Sequence, residues 1–485
     1  MSELVLEEEN ELPKNWIRTL LGNVIIPIKG RKPKILRTES TESSVPYINI
    51  KSFEKQEFSS FADEKNCPKC SNDDILIVWD GSRSGLVGTG VSGVIGSTLT
   101  KLFCFDINKK YLYYFLQMYY DKLNKNPKGI GIPHVNPEVL WSLNFSIPPV
   151  NEQKRIVKKI EEYFSIMEKI NVQLLEIQNH IIEIKQSSLK TAFEGTMSNN
   201  WRHENEYEQD QIKEIILKIK DNQTKYQIRK KVFKDFPFHQ IPNEWLWFMI
   251  HEISLKMGDA PFGSDLKSKD YVNSGIPVIH GTNITNGEFN WKYHLYVTKT
   301  KFESIPRSHC KKGDLVFQKI GATIGKCAFL PKIENHEKFL LSTNMMYVST
   351  DPDHINIKYV YYYFQQKLIL NYIRNSALGT AQPIFNYTTL KNFQIPIPII
   401  DEQNFIVKKL DCIMLVIDEN EVKLEKMFSM LSTLKQSILK RAFEGKLVPQ
   451  DPNDEPAEVL LQKIKVEKEQ LKQKQKVSRS KKNVK

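Results

Sequence analysis

A chain of 485 residues is too long for one ordinary domain and suggests roughly two to four. Hydrophobic residues make up 40% and aromatics 11%, enough for real cores, which excludes global disorder. Lys and Arg number 69 against 57 Asp and Glu, and the net charge of +12 suits a polyanionic partner.

Residues 1–150 read as a first mixed head. The opening MSELVLEEENELPKNW is acidic and lacks the basic-then-apolar pattern of a secretion signal, and no apolar run in the chain reaches the roughly 20 residues of a membrane span. Six cysteines are too sparse for a disulfide scaffold, so a reducing cytoplasm is the expected setting. VPYINI (45–50) and DILIVW (74–79) have the β-branched composition of short strands between Gly, Pro, Asn and Ser punctuation, and an amphipathic helix is expected around 109–120. Gly88-Thr89-Gly90-Val91-Ser92-Gly93 matches a dinucleotide fingerprint by spelling only. It runs into VIGSTLTKLFCF, which reads as a strand, whereas the fingerprint has to open a helix. Cys67 and Cys70 have metal-ligand spacing but no second pair at a zinc-site distance, which favours a structural or incidental reading.

Residues 151–197 carry a long helix. Ile156, Ile160, Tyr163, Met167, Ile170, Leu174, Ile177, Ile181 and Ile184 alternate steps of four and three, the spacing of a coiled-coil seam. Gly195 is placed to stop the helix. Segment 198–240 is a polar linker whose IKEIILKIK predicts a short helix.

A second head follows at 241–400. IPVIH (276–280) and DLVFQKI (314–320) read as strands, and a helix is expected at 357–370. GATIGKC at Gly321 lacks the glycine and the hydroxyl residue of a phosphate loop. His134, His280, His309 and His336 stand in loops with no paired Asp and Ser context for nucleophilic catalysis.

Residues 401–447 then repeat the first long helix. NEQKRIVKKI at Asn151 and DEQNFIVKKL at Asp401 are 250 positions apart, as are KQSSLKTAFEG (185–195) and KQSILKRAFEG (435–445). Of the 47 positions aligned without a gap, 17 are identical. The second seam is Ile406, Leu410, Ile413, Ile417, Asn420, Leu424, Met427, Leu431 and Leu434. Asn420 either fixes register in the seam or sits at a solvated edge. Gly445 is the matching stop, AEVLLQKIK at Ala457 echoes the linker helix, and the Lys-rich remainder of 448–485 is expected to be a frayed helix or disordered. The heads match more weakly: LPKNW at Leu12 with IPNEW at Ile241, YLYYFL at Tyr111 with YVYYYF at Tyr359, and Pro133 with Pro383. The expected architecture is therefore α+β: two mixed heads separated by two long helices, with an antiparallel coiled coil favoured over a parallel one.

The chain resembles the specificity subunit of a type I restriction-modification enzyme over nearly its whole length. The residues that carry this are IPPVNEQKRIVKKI (147–160), IPIPIIDEQNFIVKKL (395–410), the helix ends LKTAFEG and LKRAFEG, GKLVPQDPNDEPA (445–457) and LGTAQPIFN (378–386). GIGIPHVN (129–136) departs from the family wording in the first head. The resemblance implies that each head is a target-recognition domain for one half of a bipartite asymmetric double-stranded DNA site. It also implies that the helices dock two methyltransferase subunits and that restriction subunits complete the complex. S-adenosylmethionine, ATP and Mg would be used by those partners, with no cofactor, metal or catalytic residue in this chain. Candidate DNA contacts are Lys29, Arg31, Lys32, Lys51, Arg83 and Lys128 in the first head, and Thr282, Asn283, Lys319, Thr380 and Gln382 in the second. Two other classes compete: a single-chain nuclease or methyltransferase, and a purely architectural coiled-coil protein.

Overall fold

The computed structural model describes residues 11–63, 67–129, 131–221, 236, 239–285, 287–291, 295–321, 323–376 and 385–482. The chain forms two compact units, residues 1–174 with 425–485, and residues 175–424. These units cut across the expected segments. Each takes one head, the first part of one long helix and the last part of the other.

The first unit contains a four-stranded sheet in the order Ile25–Lys29, Leu99–Cys104, Ile75–Val78, Val87–Gly88, with all neighbours antiparallel. Ile75–Val78 is buried along its whole length, as expected for an unbroken run of Ile, Leu and Val inside a sheet. A five-stranded sheet follows the order Leu36–Arg37, Phe61–Asp63, Ser44–Ile48, Gly93–Ile95, Lys69–Cys70, and its Ser44–Ile48/Gly93–Ile95 pair is parallel. The expected strand at 45–50 thus ends early. Asn49 caps a short helix, Ile50–Lys55, by accepting the Ser52 N–H.

The second unit repeats this plan. Lys256–Asp259, Met345–Ser349, Leu315–Gln318 and Cys327–Phe329 make the four-stranded sheet. The five-stranded one is Tyr271–Val272, Tyr296–Val297, Ile276–Ile279, Lys338–Leu341, His309–Lys311, with Ile276–Ile279 and Lys338–Leu341 parallel. Two heads with little surviving sequence identity therefore share one strand order. The extra hairpin Ile284–Thr285/Glu288–Phe289 belongs to the second head.

The long helices are Val150–Phe193 and Ile400–Phe443, 44 residues each, or about 66 Å at 1.5 Å per residue. In the first unit Ile156, Val157 and Ile160 share a core with Ile438, Leu439, Ala442 and Phe443, so the start of one helix meets the end of the other. Lys435 lies over the Phe164 ring at 5.0 Å in the same direct pairing. In the second unit Leu189, Ala192 and Phe193 share a core with Ile406, Val407 and Leu410. Within each unit the pairing is antiparallel.

The seam itself needs correction. Ile156, Ile160, Leu174, Ile181, Ile406, Leu410, Ile417 and Leu424 are buried. Tyr163, Ile170, Ile177, Ile184, Met427 and Leu434 are exposed, while Met167, Ile413, Asn420 and Leu431 are half-buried. On the first helix the inward line instead takes Phe164, Asn171 and Lys185, each one residue after its expected partner and each half-buried. The reason lies in excess apolar content. Ile166, Val172, Leu175 and Ile182 add a second stripe that overlaps the first, and periodicity alone cannot choose between two overlapping stripes.

Each helix stops at a glycine in the left-handed region, Gly195 at φ +76° and Gly445 at φ +73°. A side chain at Gly195 would come within 2.3 Å of Pro242 Cγ, and one at Gly445 within 2.3 Å of Pro13 Cγ. The LPKNW and IPNEW segments are therefore seats for helix ends. Among its described residues the linker holds two helices, Asn199–Glu204 and Gln209–Asp221. The tail is helical from Ala457 to Lys482, further than expected, in keeping with its run of strong helix formers Lys, Gln and Glu.

Candidate nucleic-acid interface

The start of each long helix grips its head through the same side chain. Gln153 Oε1 accepts the Asn108 N–H at 2.8 Å while its amide donates to the Pro148 carbonyl at 2.9 Å. Gln403 accepts the Asn356 N–H at 2.9 Å and donates to the Pro398 carbonyl at 2.9 Å. Asn108 and Asn356 each cap the head helix that follows. Tyr111 and Tyr359, in the first turns of those helices, donate to the Ser146 and Pro396 carbonyls, both at 2.9 Å. Buried amides and phenols must be paired, so this repeated set fixes each head against its helix and gives the loops beyond it a rigid base.

Two loops per head meet on that base. In the first head, the Trp79–Gly85 turn receives the segment around His134: Val135 N donates to the Trp79 carbonyl at 2.8 Å and Gly81 N to the Pro133 carbonyl at 2.8 Å. In the second head Phe385 N donates to the Lys319 carbonyl at 2.9 Å. Val135 and Phe385 are 250 positions apart, so the two heads make the same backbone bond at matched positions despite the different wording around them.

The first-head cations divide into two groups. Lys29, Arg31 and Lys32 are exposed at the end of the Ile25–Lys29 strand, and Arg31 N is held by the Ile95 carbonyl at 3.0 Å. Lys51, Arg83 and Lys128 pair with Glu57, Glu54 and Glu138 at 3.1, 2.8 and 3.4 Å. Exposed pairs of this kind are worth about 0–1 kcal/mol, so a phosphate can displace the glutamate.

In the second head Thr282 is exposed, but Asn283 does not reach outward as expected. It is fully buried, accepting the His280 N–H at 2.9 Å and donating to the Asn290 carbonyl at 3.0 Å, so its side chain closes the loop. Lys319 is also less free than expected: its ammonium meets Asp259 at 2.6 Å and is only 14% exposed. Thr380 and Gln382 lie outside the described residues. Sequence reasoning missed Arg307, which stands over the exposed Phe262 ring at 3.8 Å and beside Asp259 at 3.9 Å. It also missed Asp80, whose carboxylate holds His134 Nδ1 at 2.7 Å. The aligned loop positions 133 and 383 were the one signal that pointed there.

The catalytic-looking motifs have structural settings. The Gly88–Gly93 run leads into the Gly93–Ile95 strand, so it does not open a helix as a dinucleotide fingerprint must. Cys70 is buried, donates to the Gly93 carbonyl at 3.6 Å, and burial pushes its thiol up to about 11. His309 stacks on Phe302 with centroids 3.6 Å apart. A cleft of about 1000 Å3 in the second unit is lined by Glu194, Glu206, Glu208 and Glu244 around Arg202, a carboxylate-rich wall that repels phosphates. No described helix is long and apolar enough to cross a membrane.

Comparison with known proteins agrees with this arrangement. The family model for the type I restriction modification DNA specificity domain matches residues 13–179 and 242–426, once per head. The type I restriction enzyme MjaVIII specificity subunit of Methanocaldococcus jannaschii is 24% identical over 90% of this chain and 94% of its own length. The EcoBI specificity subunit of Escherichia coli is 22% identical over 93% of this chain and 92% of its own. Among solved structures, a chain from a study of complex assembly and conformational transition of the type I R-M system superposes with a TM-score of 0.65 at 17% identity. That match covers 90% of this chain and 99% of the other. The HsdS subunit of Thermoanaerobacter tengcongensis gives a TM-score of 0.50 at 17% identity over 90% of this chain and 99% of its own.

Proposed function

The chain belongs to the type I restriction-modification DNA specificity family, a non-catalytic DNA-recognition subunit, and on that premise we propose that it reads a bipartite asymmetric site with one half per head. The observation that carries this is one scaffold built twice with different loops on it. The Gln153 and Gln403 clamps, the strand orders and the loop docking at Val135 and Phe385 coincide, whereas the side chains displayed beyond them do not. Unlike loops on like frames recognise unlike half-sites.

The long helices serve assembly in this reading. Two methyltransferase subunits dock on them, and restriction subunits join that core. The exposed apolar residues Ile166, Ile170, Ile177 and Ile184 on the first helix and Met427, Met430 and Leu434 on the second support a protein-binding role. S-adenosylmethionine, ATP and Mg act in those partners, and the assembly works in the cytoplasm. Selection of random duplex DNA by the chain together with its methyltransferase subunits tests the reading. Recovery of two short sequences at one fixed gap is the expected result. Binding without sequence preference would overturn it.

A further inference from the structure

His134 stands beside a loop crossing that has a counterpart in the second head. The crossing of its loop over the Trp79–Gly85 turn is reproduced in the second head by Phe385 on Lys319. At that crossing the first head alone carries an imidazole and a carboxylate: by alignment the positions of Asp80 and His134 are Ile320 and Ile384 in the other head. The segment is pinned on both sides of His134. Its N–H and carbonyl both bond to Lys128, at 3.2 and 2.9 Å, and its neighbours bond to Trp79 and Gly81. Gly81 at φ +111° and Gly129 at φ +104° hold backbone turns that other residues strain to adopt. The ring is nevertheless 46% exposed.

Its orientation is chemically determined. A carboxylate only accepts hydrogen bonds, so Asp80 Oδ1 at 2.7 Å selects the ring form with the proton on Nδ1. Nε2 is then the ring's remaining polar atom, and in the neutral ring it is an acceptor. We propose that His134, oriented by Asp80, reads a base edge in the half-site bound by the first head, taking a hydrogen bond from an exocyclic amine of adenine or cytosine. Base pairs are distinguished by the donors and acceptors they present, and an acceptor fixed within half an ångström discriminates where a freely rotating lysine cannot. Arg83 on one loop and Lys128 on the other supply phosphate contacts that hold the register. Asp80 acts as a positioning residue.

This inference rests on the DNA-reading function above, and its test separates the two. The full chain with its methyltransferase subunits selects duplexes randomised at both half-sites, as wild type, Asp80→Asn and His134→Gln. An asparagine can donate as well as accept, so Asp80→Asn releases the choice of ring tautomer. Discrimination at one base pair of one half-site should then fall by roughly tenfold, the size of a single mismatch penalty. His134→Gln, whose amide both donates and accepts, should change which base is preferred at the same pair. The other half-site should stay as it was in both variants. Unaltered preferences, or an affinity loss spread evenly over all sequences, would show that the pair only staples two loops. Failure of wild type to select any bipartite sequence would remove the underlying function instead.

Discussion

Arg202 donates through Nη1 to Glu402 Oε1 at 2.5 Å, and both side chains are almost wholly withdrawn from solvent, at 9% and 0% exposure. The guanidinium comes from the short helix after Gly195, the carboxylate from the first turn of the second long helix. Ser198 Oγ donates to the same oxygen at 2.5 Å, and Trp245 Nε1 to the other at 3.0 Å, with the Tyr207 hydroxyl as a fourth donor. The carboxylate thus ties the linker helix, the IPNEW segment and the second long helix together. Removing one partner of a buried pair strands the other charge, so Glu402→Ala should destabilise the second unit by about 3–5 kcal/mol. Denaturant unfolding with a tryptophan signal measures this, and a loss under 1 kcal/mol would mean the pair is dispensable.

Gly195 and Gly445 should be intolerant of substitution in parallel. Alanine at either meets a left-handed backbone, costing about 1–2 kcal/mol, and a proline ring 2.3 Å away. Overpacking adds about 1–3 kcal/mol. Gly263→Ala, with nothing within 4 Å of its added carbon, is the control. Thermal melts of the three variants decide the matter, and equal melting temperatures would refute the seat.

Asp74 and Asp314 hold equivalent places, accepting the N–H of Ser71 at 2.9 Å and of Lys311 at 2.8 Å, but their titrations should diverge. Burial pushes Asp314 up to about 6. At Asp74 burial acts upward too, but Lys101 at 2.6 Å, Ser71 and Lys109 outweigh it and hold the carboxyl at about 2. A group with a raised folded pKa binds more protons when folded. The second unit should therefore lose stability as pH rises from about 4 to about 6, by about 3 kcal/mol in total. Asp74 contributes stability present above about pH 4 and lost as pH falls toward 2, outside that window. Asp314→Asn should flatten the dependence of the second unit. An unchanged slope would place its origin elsewhere.

Arg31 and Lys32 differ from Lys319 in what they give up on meeting DNA. They are exposed and have no ion pair to a described residue, so a phosphate contact costs them little. Arg31→Ala and Lys32→Ala should each lower affinity uniformly across sequences and reduce the slope of log K against log salt by about 1. Lys319→Ala should chiefly leave Asp259 short of a partner, weakening the second head without a matching change in slope. Titrations of the assembled complex at graded salt compare the three.

The sequence alone determined the repeat, and with it the architecture. An offset of 250 held over the long helices is a covalent fact that needs no coordinates. Helix content, glycine stops and the strands at Ile75–Val78 and Leu315–Gln318 followed from local periodicity and composition, which act over a few residues. Only the tertiary structure decided which helix stripe turns inward. Tyr163 and Phe164 are both largely apolar, and the choice depends on partners about 270 residues away, such as Lys435 over Phe164. It also decided which polar side chains are free. Asn283 and Lys319 read as available because their partners Asn290 and Asp259 are close only after folding, and His134 read as isolated because Asp80 lies 54 residues earlier. A hydrogen bond is set by distance in space, and the chain's order carries that distance only where the backbone is already regular.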